Sequence, residues 1–165
     1  MLNNDLSQQI KRNFPYKPTE EQENAVKSFA EFLFSPSADS VFLMKGYAGT
    51  GKTTLTSALV RTLDSLQRKV ILLAPTGRAA KVFSGYAEHP AYTIHKKIYR
   101  QKVFSNETDN FVANQNLHRN TLFIVDEASM IANEGLSGGH FGSGRLLDDL
   151  VQYVYNGLGC RLMVI

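Results

Sequence analysis

The residues best suited to chemistry form a glycine-rich loop with the pattern G-x-x-x-x-G-K-T. They are Gly46, Tyr47, Ala48, Gly49, Thr50, Gly51, Lys52 and Thr53. Glycines let the backbone curl closely round an anion, so that consecutive N–H groups can point at a phosphate. Lys52 adds a charge for the β- and γ-phosphates, and the Thr53 hydroxyl suits Mg²⁺. The loop therefore predicts binding of a nucleoside triphosphate together with Mg²⁺.

The residues on either side of this loop have the pattern that a phosphate site requires. Residues 41–44 are apolar and predict a short buried strand, whereas Thr54 begins a helical pattern. In that helix Leu55, Leu59 and Leu63 recur on one face. The N-terminus of a helix carries a positive partial charge, which favours the same anion. This order of strand, loop and helix distinguishes a phosphate site from an ordinary glycine-rich turn.

Two adjacent carboxylates, Asp126 and Glu127, follow the apolar segment 121–125. Neighbours within a strand point to opposite faces, but at the end of a strand both can turn toward one site. Asp126 can hold Mg²⁺ through water, and Glu127 can orient or deprotonate the water that attacks the γ-phosphate. The alternative is that the two acids cap a following helix.

The composition is that of an ordinary globular protein with room for one domain. Of the 165 residues, 43% are hydrophobic and 20% are charged. The net charge of +3 is compatible with a nucleic-acid partner but does not require one. A single cysteine, Cys160, excludes an intramolecular disulfide. Because the sequence has neither a signal-peptide core nor an apolar run of about 20 residues, we expect a cytoplasmic protein without a membrane partner.

Strand-like and helical segments alternate along the chain. Strands are predicted at 41–45, 70–74, 121–125 and 161–165, and helices at 19–34, 53–66, 77–86 and 145–156. This alternation predicts an α/β fold in which a parallel sheet is flanked by helices. Phosphate sites in such sheets lie at the carboxyl ends of the strands, which is where the glycine-rich loop falls.

Two segments interrupt this alternation. Residues 99–117 are polar with a turn-forming centre, which predicts either a hairpin or a plain loop. Residues 135–144 are rich in glycine and predict a flexible loop. The sequence stops after the predicted core strand 161–165, so we expect residues 1–165 to be one domain of a longer protein.

Four motifs in a fixed order resemble a known family. They are Gly46–Thr54, Ala-Pro-Thr-Gly-Arg-Ala-Ala-Lys at 74–81, Thr-Ile-His at 93–95 and Asp-Glu-Ala-Ser-Met at 126–130. Together they resemble the first motor-domain motifs of superfamily 1 DNA helicases, in particular the RecD-like (1B) branch. The resemblance runs from about residue 19 to the end. It implies a RecA-like P-loop NTPase domain, the N-terminal motor domain of a helicase, which ends before the family's motif III.

The segment Pro18-Thr19-Glu20-Glu21-Gln22 resembles the adenine-reading Q motif of that family. The resemblance implies that Gln22 hydrogen-bonds the adenine edge, which makes ATP the expected nucleotide. The same residues also fit a capping box, in which Thr19 is the N-cap and Gln22 lies at position N3. Both interpretations stay open at the level of the sequence.

The resemblance also implies contacts with single-stranded DNA. Thr76, Arg78 and Lys81 match a family motif that holds the DNA backbone, and His95 matches a second one. A solvated basic helix start is the alternative for the first three residues, and a structural hydrogen bond is the alternative for His95. Residues 99–117 occupy the position where the RecD-like branch inserts a β-hairpin, the pin that splits the duplex.

We therefore expect an ATP-dependent DNA helicase whose full-length form moves 5′-to-3′ along single-stranded DNA. The second motor domain with its arginine finger is expected to lie outside this chain, so residues 1–165 should hydrolyse ATP very slowly. Two other functions remain open. One is a P-loop kinase, and the other is a nucleotide-dependent DNA clamp or loader module that hydrolyses little.

Overall fold

The computed structural model describes residues 2–101, 111–132 and 142–165. In chain order the elements are α1 (Leu2–Arg12), α2 (Glu20–Phe34), β1 (Val41–Leu43), α3 (Lys52–Ser65), β2 (Val70–Ala74), α4 (Gly77–Ala87), β3 (Ala91–Thr93), α5 (Ile94–Ile98), β4 (Tyr99–Gln101), β5 (Phe111–Ala113), β6 (Leu122–Val125), α6 (Leu146–Tyr155) and β7 (Arg161–Val164). A 3₁₀ turn, Ala128–Met130, follows β6.

Five strands in the described part of the chain form one parallel sheet in the order β1-β7-β6-β2-β3. The strand β6 lies at its centre, and all four of its residues are buried. Leu122 is in register with Val70 on one side and with Arg161 on the other. Because every strand runs in the same direction, the ends of β1, β6 and β7 meet at one edge of the sheet.

Helices cover both faces of the sheet. Phe29, Leu59 and Phe83 from α2, α3 and α4 pack with Ile124 in one hydrophobic core. On the opposite face, Ile94, Leu150 and Val154 from α5 and α6 pack with Phe123 and its neighbours on other strands, including Leu73 and Leu162. Adjacent strand residues such as Phe123 and Ile124 thus belong to different cores, as the alternation of strand side chains requires. The predicted α/β fold, a RecA-like parallel sheet flanked by helices, is confirmed.

The four predicted strands and four predicted helices match observed elements to within two residues at each end. Two α-helices and one strand of the sheet were not predicted. These are α1, β3 and α5. In α1 the spacing of Leu2, Leu6 and Ile10 is a helical signal that sequence reasoning missed, and Leu6 and Ile10 are buried. The strand β3 and the helix α5 have three and five residues, too few to show a period.

The segment 99–117 contains two short strands that pair in antiparallel fashion. Tyr99 lies opposite Ala113, and Gln101 lies opposite Phe111. Residues 102–110, the centre of the predicted pin, lie outside the described residues, as do residues 135–141 of the predicted glycine-rich loop. In the described part of the chain, no helix has the length and apolar character needed to cross a lipid bilayer.

Candidate nucleotide site

A cleft of about 1030 Å³ opens at the carboxyl edge of the sheet, where β1, β6 and β7 end. Its wall contains most of the residues that the sequence assigns to the nucleotide. They are Gly46, Ala48, Gly49, Gly51, Lys52, Thr53, Thr54, Asp126 and Glu127. The fold therefore brings the glycine-rich loop and the acidic pair together, although more than 70 residues separate them in sequence.

The glycine-rich loop is folded by contacts within itself. The Thr50 hydroxyl donates to the carbonyl of Tyr47 at 2.8 Å. The Lys52 ammonium donates to the carbonyls of Gly46 and Tyr47, at 3.0 Å for the latter. A Cβ added at Gly46 would lie 2.7 Å from the Thr50 hydroxyl oxygen, so the tight turn leaves no room for a side chain there. The ammonium of Lys52 is thus held at the mouth of the loop.

Gly51 is the N-cap of α3 and has a left-handed backbone, with φ 84°. This positive φ favours glycine, and a Cβ at this position would displace the side-chain amide of Gln22. Because glycine has no side chain, no side-chain cap occupies the N–H groups of the first turn. Those groups and the helix dipole favour an anion at the loop.

Gln22 makes the capping box that the sequence suggested. Its backbone N–H donates to the Thr19 hydroxyl at 3.3 Å, and its side-chain oxygen accepts from the Thr19 N–H at 3.0 Å. Its Nε2 donates to the carbonyl of Thr50 at 3.3 Å. Neither Gln22 nor Thr50 lines the cleft. The adenine contact of Gln22 stays a prediction.

The acidic pair turns toward the cleft because the chain bends sharply after β6. Glu127 has a left-handed backbone, with φ 56°, which costs a residue with a side chain about 1–2 kcal/mol. Its N–H donates to Oδ1 of Asp126 at 2.9 Å. The next N–H, of Ala128, donates to the carbonyl of Ile165 beyond β7 at 2.9 Å. The bend leaves the Glu127 side chain exposed beside Asp126, rather than on the opposite face of the sheet.

A third side chain that sequence reasoning missed, Tyr86 of α4, contacts the acidic pair. Its hydroxyl donates to Oδ2 of Asp126 at 2.7 Å, and the residue lines the same cleft. Burial, the hydrogen bond to Asp126 and the nearby charges raise the pKa of Tyr86. The hydroxyl therefore stays protonated and acts as a donor. No local pattern signals this contact, because the two residues lie 40 positions apart.

The donor atoms in the cleft suit Mg²⁺ bound with a nucleotide. Thr53 offers a hydroxyl and Asp126 a carboxylate, the hard oxygen ligands that Mg²⁺ prefers. Among the described residues no group of three or more His, Cys, Asp or Glu is placed to hold a metal. Mg²⁺ commonly takes only one or two protein ligands and completes its shell with phosphates and water. The residues present fit that mode of binding.

The residues assigned to DNA do not line the nucleotide cleft. Thr76 is the N-cap of α4, and its hydroxyl accepts from the Ala79 N–H at 3.2 Å. Arg78 and Lys81 are exposed on the first turns of the same helix. His95 is half-buried, its ring lies 5.7 Å from the Tyr99 ring, and burial lowers its pKa. The contacts of these residues with DNA stay predictions.

The helix α4 connects the two sets of residues. Arg78 and Lys81 lie near its N-terminus, while Val82 and Tyr86 line the nucleotide cleft. The hydroxyl of Ser57 on α3 donates to the carbonyl of Tyr86 at 2.9 Å, which joins α4 to the helix that follows the glycine-rich loop. Sequence reasoning placed Tyr86 at the end of a helix but assigned it no role.

The chain is similar to known proteins over the residues that form this cleft. A profile of the family described as AAA domain matches residues 17–138, a range that includes every predicted site residue. The multifunctional conjugation protein TraI of Escherichia coli strain K12 is 32% identical over 107 residues. The ATP-dependent DNA helicase dda of Enterobacteria phage T4 is 37% identical over 90 residues. An uncharacterized protein of Methanocaldococcus jannaschii is 28% identical over 123 residues.

These relatives are much longer than the matched segments. The TraI match covers 61% of this chain and 6% of TraI. The dda match covers 53% of this chain and 20% of dda, and the match to the Methanocaldococcus protein covers 68% of this chain and 10% of that protein. The similarity therefore concerns a small part of each relative.

Proposed function

Because the chain belongs to the AAA domain family, we propose that it is the ATP-binding motor domain of an ATP-dependent DNA helicase. The observation that carries this proposal is the cleft in which Lys52 and Thr53 face the same space as Asp126 and Glu127. Phosphate-binding groups and an acidic pair in one cleft are the parts that hydrolysis of a nucleoside triphosphate requires.

Each residue has a separate role in this proposal. Lys52 releases the loop carbonyls of Gly46 and Tyr47 and donates to the phosphates. Thr53 and Asp126 would hold Mg²⁺, which would neutralise charge on the phosphates. Glu127 orients the attacking water and accepts its proton, because its carboxylate is exposed to the cleft.

The finer parts of the proposal follow the family resemblance and the relatives. One relative, dda, is named as an ATP-dependent DNA helicase. We propose a RecD-like N-terminal motor domain that moves 5′-to-3′ on single-stranded DNA in the cytoplasm, together with a second motor domain. We also propose that β4 and β5 form the base of the pin hairpin. Since the second domain would supply a further positive charge at the γ-phosphate, worth about 10³–10⁵ in rate, this domain by itself should turn over slowly.

Calorimetric titration of the chain with ATP and Mg²⁺ tests the phosphate site. Replacement Lys52→Ala removes charge-assisted hydrogen bonds, so we expect affinity to fall about 10- to 100-fold. Lys69→Ala is the matched control, because Lys69 is exposed just before β2, at the opposite edge of the sheet. Equal affinity in Lys52→Ala and the wild type would contradict the assignment.

Release of phosphate separates hydrolysis from the two other functions. Glu127→Gln keeps the size of the side chain but accepts no proton, so we expect ATP binding to persist while phosphate release stops. Single-stranded DNA should accelerate release in the wild type. A kinase would transfer the phosphoryl group to an acceptor other than water. A clamp module would release little phosphate, whether DNA is present or not.

A further inference from the structure

Each oxygen of the Asp126 carboxylate accepts one hydrogen bond, from the Tyr86 hydroxyl at Oδ2 and from the Glu127 main-chain N–H at Oδ1. The Tyr86 hydroxyl lies 2.7 Å from Oδ2, and the Glu127 N–H lies 2.9 Å from Oδ1. A carboxylate oxygen has two lone pairs, so each oxygen keeps one for a metal ion or its water. The terminal torsion of aspartate has only broad preferences of its own, and two fixed donors therefore decide how the carboxylate is turned.

Tyr86 is itself held firmly. Its ring stacks on Phe83, with centroids 5.2 Å apart and an interplanar angle of 30°. Phe83 is fully buried in the core beneath α4. The Tyr86 carbonyl accepts from the Ser57 hydroxyl at 2.9 Å. Side-chain packing on one helix and a hydrogen bond from another thus restrict where the phenol oxygen can lie.

The partner of Tyr86 on α3 connects it to the second candidate metal ligand. Ser57 and Thr53 are four positions apart on α3 and therefore share one face of that helix. Thr53 lies on α3, whereas Asp126 follows β6, so the two residues come from separate elements of the fold. Tyr86 bridges that separation directly, because it contacts α3 through its carbonyl and Asp126 through its hydroxyl.

We propose that Tyr86 is a positioning residue that sets the Asp126 carboxylate relative to Thr53 for binding of Mg²⁺ with the nucleotide. This inference rests on the proposed function of the cleft. Groups that orient a metal ligand commonly change metal affinity about 10- to 100-fold when they are removed. A purely structural role, in which Tyr86 only joins α4 to β6, would change stability without changing metal dependence.

The test is Tyr86→Phe, which keeps the ring on Phe83 and removes only the hydroxyl. ADP affinity is measured by calorimetry over a series of Mg²⁺ concentrations and in EDTA. We expect the Mg²⁺ concentration for half-maximal enhancement of binding to rise about tenfold, while affinity in EDTA stays unchanged. In a double-mutant cycle, Tyr86→Phe should add no further loss to Asp126→Ala, because the hydroxyl acts through that carboxylate.

Tyr99→Phe is the matched control, since the Tyr99 hydroxyl donates to Oδ2 of Asp149 at 2.6 Å, outside the cleft. It should leave the Mg²⁺ dependence as in the wild type. An unchanged Mg²⁺ dependence in Tyr86→Phe would overturn the positioning role while leaving the proposed function in place. If the wild type itself binds nucleotide no better with Mg²⁺, the proposed function fails and the positioning role fails with it.

Discussion

The Gln22 side chain joins the start of α2 to the glycine-rich loop, because its Nε2 donates to the carbonyl of Thr50 at 3.3 Å. Its oxygen accepts from the Thr19 N–H at the same time. An amide group has two donor hydrogens and two acceptor lone pairs, so one of each remains for a ligand. The capping box and an adenine contact are therefore compatible, and the same residue can serve both.

We expect Gln22→Ala to weaken ATP binding more than GTP binding, because the contact predicted for Gln22 is with the adenine base. It should also cost about 1 kcal/mol of stability through loss of the capping box. Thr19→Ala is the control, since it removes the cap but leaves the amide of Gln22. The affinities for ATP and GTP and the free energies of unfolding are measured for both variants and the wild type. A parallel loss for ATP and GTP would leave Gln22 with a structural role only.

We expect Arg78→Ala combined with Lys81→Ala to weaken binding of single-stranded DNA and to lower its salt dependence. Loss of two phosphate contacts should reduce the slope of log affinity against log salt by about 1.4. The matched control is Arg68→Ala with Lys69→Ala, exposed residues that precede β2 at the opposite edge of the sheet. Fluorescence anisotropy at several salt concentrations measures both slopes. Equal slopes in the two double variants would contradict the DNA contact.

Asp149 gives the chain a pH-dependent contribution to stability. It accepts from the Tyr99 hydroxyl at 2.6 Å and from the hydroxyl and N–H of Ser143 at 2.7 and 2.9 Å. Burial acts to raise the pKa of Asp149, but these hydrogen bonds lower it overall, below the ordinary 3.8. A lowered pKa in the folded state stabilises the protein at pH values above the unfolded pKa, and this contribution is lost as the pH falls through 3.8 and below.

Asp149→Asn should therefore lower the free energy of unfolding by about 1–3 kcal/mol at pH 7, through loss of charge-assisted hydrogen bonds. The difference from the wild type should shrink as the pH falls toward 3. Asp148→Asn is the control, because Asp148 is exposed and pairs with Arg145 at 3.2 Å, a contact worth well under 1 kcal/mol. Denaturant unfolding of the three proteins across this pH range measures the effect. A constant difference at all pH values would contradict it.

The order of strand, glycine-rich loop and helix was predicted correctly because the interactions there are local. Gly46, Thr50 and Lys52 lie within seven residues, and their hydrogen bonds join atoms three to six positions apart. The burial of β6 could also be predicted from the sequence, since a strand covered on both faces is apolar throughout. Such features depend on residue type and spacing, and the sequence contains both.

The helix α1 was not predicted from the sequence. The signal is weak, because only Leu2, Leu6 and Ile10 are apolar and Leu2 is followed by three polar residues. Packing stabilises the helix, because Leu6 and Ile10 are buried in one core with residues of α2 and α3. The strands β4 and β5 are three residues each and likewise depend on their pairing with one another.

By itself, the sequence determined which residues could bind phosphate and where two carboxylates would leave a strand. The tertiary structure decided that both sets face one cleft, since the order β1-β7-β6-β2-β3 is not encoded in any local pattern. It also decided that the hydroxyl of Tyr86 meets Asp126, 40 positions away. Contacts of this kind arise when packed helices and strands bring distant segments together, and the periodicity of the sequence does not predict them.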